Sequence, residues 1–287
     1  MPFFIRRSTY VLAFISLVTL WSCKRTPVSP QTSCDYPAIT TSSLHLMMGN
    51  PSGAKKDESQ GDNYLMEKTQ YALSYNRSQL ISNWAAWHLG SEDIGSADRQ
   101  DDFKPDASLP SGWDAAKPND YSGSGFDRGH LCPSADRTAT QADNSATFLM
   151  TNMVPQSPDL NRNTWESLES YCRDLVQQGN ELYIYAGTFG SGGTGSNGTT
   201  TKVKDKITVP EACWKVLIVL PKGDDDVKRV TKTTQTIAIW VPNNQDLDNS
   251  WKAYAVSVDE VEQKTGYDFF NHLPVCIQEV IEKPVFQ

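Results

Sequence analysis

The apolar positions fall into short runs separated by clusters of Gly, Pro, Asn and Ser, and most of those runs read as strands. Residues 71–75 and 83–89 are aromatic and alternating, which predicts two strands of a sheet packed on one face. Residues 181–187 predict another strand, and 214–220 with 233–241 an antiparallel pair around the turn at 222–226. A last strand is expected over 254–258. Helical spacing is rarer. Residues 141–149 predict a short helix, followed by an apolar strand or loop over 150–156. Beyond Pro158, Leu160, Leu168, Tyr171, Leu175 and Val176 recur at helical intervals, with Gly179 as a stop, so Asn161 sits near a helix start and Glu169 about two turns on. Ser257 and Glu260 have the spacing of a capping box for a helix ending at Gly266. The expected fold is α+β, a central and mostly antiparallel sheet flanked by helices.

The amino-terminal pattern differs. Arg6 and Arg7 precede an apolar run over 10–20, too short to span a bilayer comfortably, which closes at Leu20-Trp21-Ser22-Cys23. Residues 1–22 therefore read as a secretory signal, and a cysteine directly after such a run resembles a bacterial lipobox with Cys23 lipidated and membrane-attached. Trp21 fits that box poorly, which leaves ordinary signal-peptidase cleavage or retention as an anchor open. Residues 23–42, rich in Ser, Thr and Pro, suit an extended tether, and 43–287 form the expected domain. On each reading the domain lies outside the cytoplasm, in the periplasm or on the cell surface.

The formal charge is −8, and loss of Arg6 and Arg7 with the leader takes it to −10. Such a protein does not hold a polyanion by a general positive field. Cysteines 34, 132, 172, 213 and 276 follow Cys23 in a compartment where disulfides persist. Five is odd, so at least one thiol is left over; the spacings match no zinc pattern and do not determine the pairing. Trp84 and Trp87 read as core rather than as base-stacking platforms, because no basic residues interleave with them. The string from Gly190 to Gly195 satisfies GxGxxG, yet no helix opens after it, so it reads as a hairpin tip. Asp224, Asp225 and Asp226 read as a solvated turn, with a weak calcium site as the alternative.

Candidate chemistry concentrates in Asp127-Arg128-Gly129-His130 and in the helix start near Asn161. A histidine near its ordinary pKa suits general-base work on water. The Asn161 carbonyl is a hard oxygen of the kind magnesium takes while keeping most of its waters. On a straight α-helix Asn161 and Glu169 would lie about 12 Å apart along the axis and about 80° apart around it. Direct binding of one ion by both is then strained, and Glu169 suits a place behind the ion's waters. Arg99, in the charged loop 98–106, and Arg128 are candidates to meet a phosphate. These groups together point to metal-assisted phosphodiester hydrolysis.

Asp127-Arg128-Gly129-His130, then 151–156, then Leu160-Asn161 with Trp165 and Leu168-Glu169, resemble the DNA/RNA non-specific endonucleases of the ββα-metal group, relatives of mitochondrial endonuclease G. The likeness runs from about Arg99 through 259–274. It implies His130 as general base, Asn161 as the direct ligand of Mg2+ (with Mn2+ as a substitute) and Glu169 as partner to the metal's waters. It further implies that Asn152 orients the site, that Arg128 and Arg99 meet phosphate, and that both DNA and RNA are cut. Asp127 is expected to hold the backbone of its motif. One feature sits against this: residues 126–173 hold four Arg against six Asp or Glu, no net attraction for a polyanion. The other readings are a non-catalytic surface lipoprotein that binds nucleic acid or glycan, and a thiol enzyme using Cys132.

Overall fold

The computed structural model describes residues 34–39 and 41–286, with Met1 and Phe3. The leader, Cys23 and most of the tether lie outside the described residues. The strands are β1 Tyr64–Glu67, β2 Ala72–Asn76, β3 Ile81–Leu89, β4 Asp127–His130, β5 Met153–Gln156, β6 Asn180–Phe189, β7 Gly193–Gly195, β8 Gly198–Thr200, β9 Lys202–Val203, β10 Ile207–Thr208, β11 Ala212–Pro221, β12 Gln235–Pro242 and β13 Ala255–Val256. The helices are α1 Gln141–Ala146, α2 Glu166–Gln177, α3 Asp226–Arg229, α4 Val258–Thr265 and α5 Val275–Ile281. Seven strands form one sheet in the order β1-β2-β3-β6-β11-β12-β13, and every pairing is antiparallel.

The central strands are buried on both faces, which corrects the expectation of one packed face. The two-residue side-chain period sends Trp87, Ile184 and Leu217 to one side, where they meet Trp165 and Leu168. Trp84, Tyr185 and Val216 go to the other, where Val261, Phe269 and Ile277 cover them. Two-sided burial explains why β6 and β11 read as near-continuous hydrophobic runs. Both tryptophans belong to the core, as expected, with indole N–H groups donating to Ser52 Oγ at 2.9 Å and to Asp136 Oδ2 at 3.0 Å.

Most predicted elements are present, with shifted ends. The GxGxxG string is the β7–β8 hairpin. The Ser257 side chain accepts from the Glu260 N–H at 3.1 Å, and Gly266 closes α4 in the left-handed region at φ 75°. The acidic triplet is not a bare solvated turn. Asp226 opens α3 and is bound by Arg229 and the Tyr183 hydroxyl, while Asp225 pairs with Lys228 at 3.6 Å.

One disulfide joins Cys34 to Cys276, and Cys132, Cys172 and Cys213 are buried thiols. Part of the expected tether is thereby fastened to α5 through Cys34. This bridge spans 242 residues, and closing so long a loop removes much entropy from the unfolded chain. Cys276→Ser is expected to lower the unfolding free energy by about 2–5 kcal/mol in urea titrations, with secondary structure retained.

Candidate active site

β4 and β5 form an antiparallel ribbon with His130 opposite Met153 and Asp127 opposite Gln156. The ribbon tolerates no side chain at Gly129, where a Cβ would lie 2.0 Å from Gln156 Oε1. After β5, Ser157 starts the helical segment: its hydroxyl accepts from the Leu160 N–H at 3.1 Å and its carbonyl from the Asn161 N–H at 2.9 Å. Two strands followed by a helix is the ββα arrangement expected.

Residues Leu160–Trp165 are π-helical rather than α-helical, and α2 continues from them. Bonding from i to i+5 winds more residues into each turn, so the angular offset of about 80° for an α-helix shrinks and Asn161 comes round toward Glu169. Both line one cleft of about 240 Å³, together with His130, Arg99, Arg128 and Arg173.

Each of these side chains is held by identifiable contacts. Asp127 accepts from Asn161 Nδ2 at 2.9 Å and takes both prongs of Arg162 at 2.8 Å. A carboxylate only accepts, so it selects the amide's N–H end and leaves the Asn161 Oδ1 as the free acceptor. Asp127 thus orients a side chain rather than the backbone of its own motif. Arg128 lies 4.0 Å over the Phe103 ring and has no carboxylate partner among the described residues. Arg99 donates to Ser134 Oγ and to Asp101, both at 2.7 Å, over the Phe148 ring.

His130 is buried against Phe148 and Phe103, with Nε2 lacking any partner among the described residues. Burial, then Arg99 and Arg128, lower its pKa to about 3, so the expectation of an ordinary histidine is corrected. The ring is neutral across the physiological range. Glu169 Oε1 accepts from Lys215 Nζ at 3.0 Å, and Lys215 is 1% exposed and 4.2 Å over the Trp165 ring. Burial raises the Glu169 carboxyl, Lys215 opposes that and Asp136 adds to it.

Asn152 is fully buried and does not line the cleft. Its amide donates to the Cys132 and Thr147 carbonyls at 2.8 and 2.9 Å and accepts from the Cys132 N–H at 3.0 Å. It therefore fixes the chain just past His130. Arg137 is structural, with its guanidinium donating to the His88, Gln70 and Asp136 carbonyls.

The sequence profile of the DNA/RNA non-specific endonuclease family matches residues 48–275. The chain belongs to this family. It is 51% identical over 275 residues to a nuclease of Nostoc sp., covering 96% of each chain. Identity to Nuclease C1 of Cunninghamella echinulata is 32% over 241 residues, covering 80% of this chain and 88% of that one. The fold matches the EndoG/EndoGI complex structure at TM-score 0.65 and 25% identity, over 82% of this chain and 94% of that chain. As a member of the family the protein is a metal-dependent endonuclease with nucleic acid as substrate, and the reading as a non-catalytic binding lipoprotein is set aside.

The residues present fit the divalent cation that a metal-dependent endonuclease implies. Asn161 Oδ1 and the second Glu169 oxygen are hard acceptors with no partner among the described residues, and the orphaned His130 nitrogen lies in the same cleft. A Cys132 nucleophile does not fit: the thiol is fully buried and burial pushes its pKa far up.

Two residues escaped sequence reasoning, one lining this endonuclease cleft and one buried behind it. Lys215 carried a signal, a single cation inside the apolar run 214–220, which demands a buried carboxylate partner. Arg173 lies one helical turn past Glu169 and so shares its face; it donates to Asp136 at 3.0 Å. Lys215→Met leaves the half-buried Glu169 without its lysine, and an unfolding titration is expected to register a loss of about 3 kcal/mol, the low end for a broken buried pair. Adding Glu169→Gln should recover most of that loss, whereas additive losses would show that the pair does not act as a unit.

Proposed function

We propose that this endonuclease hydrolyses both DNA and RNA outside the cytoplasm, with Mg2+ as its cation and Mn2+ as a substitute, and His130 as its general base. The observation that carries the reading is the single cleft shared by His130, Asn161, Glu169, Arg99 and Arg128. Asn161 Oδ1 would hold the cation directly and Glu169 would hold its waters, an arrangement in which a small hard ion keeps most of its hydration. When bound there, Mg2+ supplies Lewis-acid stabilisation of negative charge at phosphate and leaving oxygens.

The protein's own groups supply the rest. Arg128, free of any carboxylate among the described residues, and Arg99, held only at its Nε and Nη1, meet the scissile phosphate and steady the charge that grows on it. A water between phosphate and imidazole loses a proton to a ring nitrogen of His130 as its oxygen attacks phosphorus. The bond from phosphorus to the leaving sugar oxygen then breaks. The low pKa of the free cleft keeps the ring deprotonated before substrate arrives, and the phosphodiester's negative charge raises its basicity in the complex. Trp165 Nε1 donates to the His130 carbonyl at 3.3 Å and Asn152 braces the next residues, so the base is held by both of its neighbours in the fold.

Purified protein with Mg2+ is expected to degrade supercoiled plasmid and single-stranded RNA. EDTA, His130→Ala or Asn161→Ala should each cut the rate at least about 100-fold, the lower end of what one acid–base or electrostatic group contributes. Because the histidine pKa lies far below 6.5 in the free enzyme, lowering the pH from 8 to 6 should leave the His130 step of kcat/KM intact. An acid limb at 6.5 that disappears in His130→Ala would contradict the lowered pKa. Undiminished cleavage by His130→Ala would remove it as the base.

The location rests on Arg6, Arg7, the apolar run 10–20 and Cys23. Lipidation of Cys23 would tether the domain to a membrane in the periplasm or at the cell surface. Metabolic labelling with a radioactive fatty acid is expected to mark the protein and to fail in Cys23→Ala. A labelled Cys23→Ala protein would place the lipid elsewhere.

A further inference from the structure

α4 and α5 pack on the sheet face turned away from the endonuclease cleft: Val258, Val261, Ile277 and Ile281 join Trp84 and Trp214 there, whereas Trp165 and Leu168 belong to the opposite core. Where the two helices meet, the Asp259 N–H donates to the Glu282 carbonyl at 3.1 Å. This contact brings together carboxylates from both ends of the segment, and ligand oxygens of Asp259, Glu262 and Glu282 lie within 4.8 Å of one another. Among the described residues, no Lys, Arg or His nitrogen lies within 4.0 Å of these three carboxylates.

Acids in the first turn of α4 are ordinary, since the helix dipole and exposed N–H groups favour them. That accounts for Asp259 and Glu260. It does not account for Glu282, which follows α5, is 6% exposed and has a buried Oε1 without any hydrogen-bond partner. An oxygen in that position loses its hydration and gains nothing in return. Glu262 accepts from the Phe269 N–H at 2.6 Å through Oε1, which leaves its second oxygen for another partner. The two other acidic groups found among the described residues, both built on His88, differ here: Glu181 and Asp226 are bound by Arg229, and Glu92 and Asp93 are paired with Lys222 and Arg137.

We propose that Asp259, Glu262 and Glu282 form a second divalent-cation site, of the calcium class, that clasps α5 to α4. Its three ligands are all carboxylates, the donor type of hard cations. Calcium takes several protein carboxylates directly, whereas magnesium keeps most of its waters and is seldom held by a dedicated cage of protein ligands. Glu282 supplies the inner, dry side. Asp259 is exposed and gives the ion a path in and room for waters. Cys276 lies in the first turn of α5 and Glu282 just past its end, so disulfide and ion fasten the two ends of α5.

The test is calorimetric titration of Ca2+ into EDTA-stripped protein, paired with thermal melts, in the unaltered chain, in Asn161→Ala and in Glu282→Gln. Asn161→Ala removes the cleft's direct ligand, so the clasp is read apart from the catalytic cation. The expected result is one Ca2+ per chain in Asn161→Ala and a Tm rise of about 5 °C at saturation, absent in Glu282→Gln. Nuclease activity with Mg2+ should be unchanged in Glu282→Gln. Asp259→Asn, an exposed substitution that the fold tolerates, should weaken Ca2+ at least about tenfold. No Ca2+ effect in Asn161→Ala, or an undiminished one in Glu282→Gln, would overturn the clasp and leave the three carboxylates sharing a proton instead.

Discussion

A lysine in the middle of a two-faced sheet is sustainable only with a carboxylate against it, and Lys215 obtains one from α2. That contact determines how the helix sits. With Glu169 turned down to Lys215, the same helical segment presents Asn161 and Arg173 along one side, and that side becomes a wall of the cleft. Trp165 lies under the ammonium and reaches across to the His130 carbonyl, so the strand that carries His130 and the helix that carries Asn161 and Glu169 share one anchor. Replacing the pair by apolar residues need not harm the core. It would release the azimuth of the helix.

Charge within the cleft is arranged by pairing rather than by surplus. Counted along the chain, the central segment is acidic, which seems at odds with a polyanionic substrate. Folding separates the charges by role: Arg162 is neutralised by Asp127, Arg137 is buried among backbone carbonyls, and Arg173 pairs with Asp136. Arg128 keeps its charge free over an aromatic ring, and Arg99, delivered from a loop well upstream, keeps its Nη2 unbonded although its Nε is paired with Asp101. Two arginines and a neutral histidine then face a cleft in which Glu169 already has its cation. An acidic protein can present a locally basic site because the screening length at physiological salt is only about 8 Å.

The main strands were legible because their signals are local, β-branched and aromatic runs between turn residues, and the ββα unit through the resemblance of its motifs. The π-helical turn at Leu160–Trp165 was not, since nothing in Leu-Asn-Arg-Asn-Thr-Trp distinguishes it from an α-helical start. It matters, because the straight-helix estimate separated Asn161 from Glu169 more than the fold does. The pKa of His130 was equally hidden. It depends on Phe148 and on Arg99, residues far from it in sequence and next to it in space. Lys215 was visible as a misfit in its strand, but which carboxylate answers it depended on how α2 packs.

By itself the sequence determined the α+β class, the order of the main strands along the chain, a helix start near Asn161 and another at Ser257, and the candidate base, metal ligand and phosphate contacts. These follow from side-chain periodicity and from short motifs whose chemistry is carried by the residue types themselves. Only the tertiary structure decided that both sheet faces are covered, that Cys34 joins Cys276, that Asn152 braces the chain instead of lining the cleft, and that Asp127 sets the Asn161 amide. Each of those outcomes turns on which groups from distant segments share a buried volume. There, hydrogen bonds and ion pairs must be completed between neighbours in space, and neighbours along the chain give little warning of who they will be.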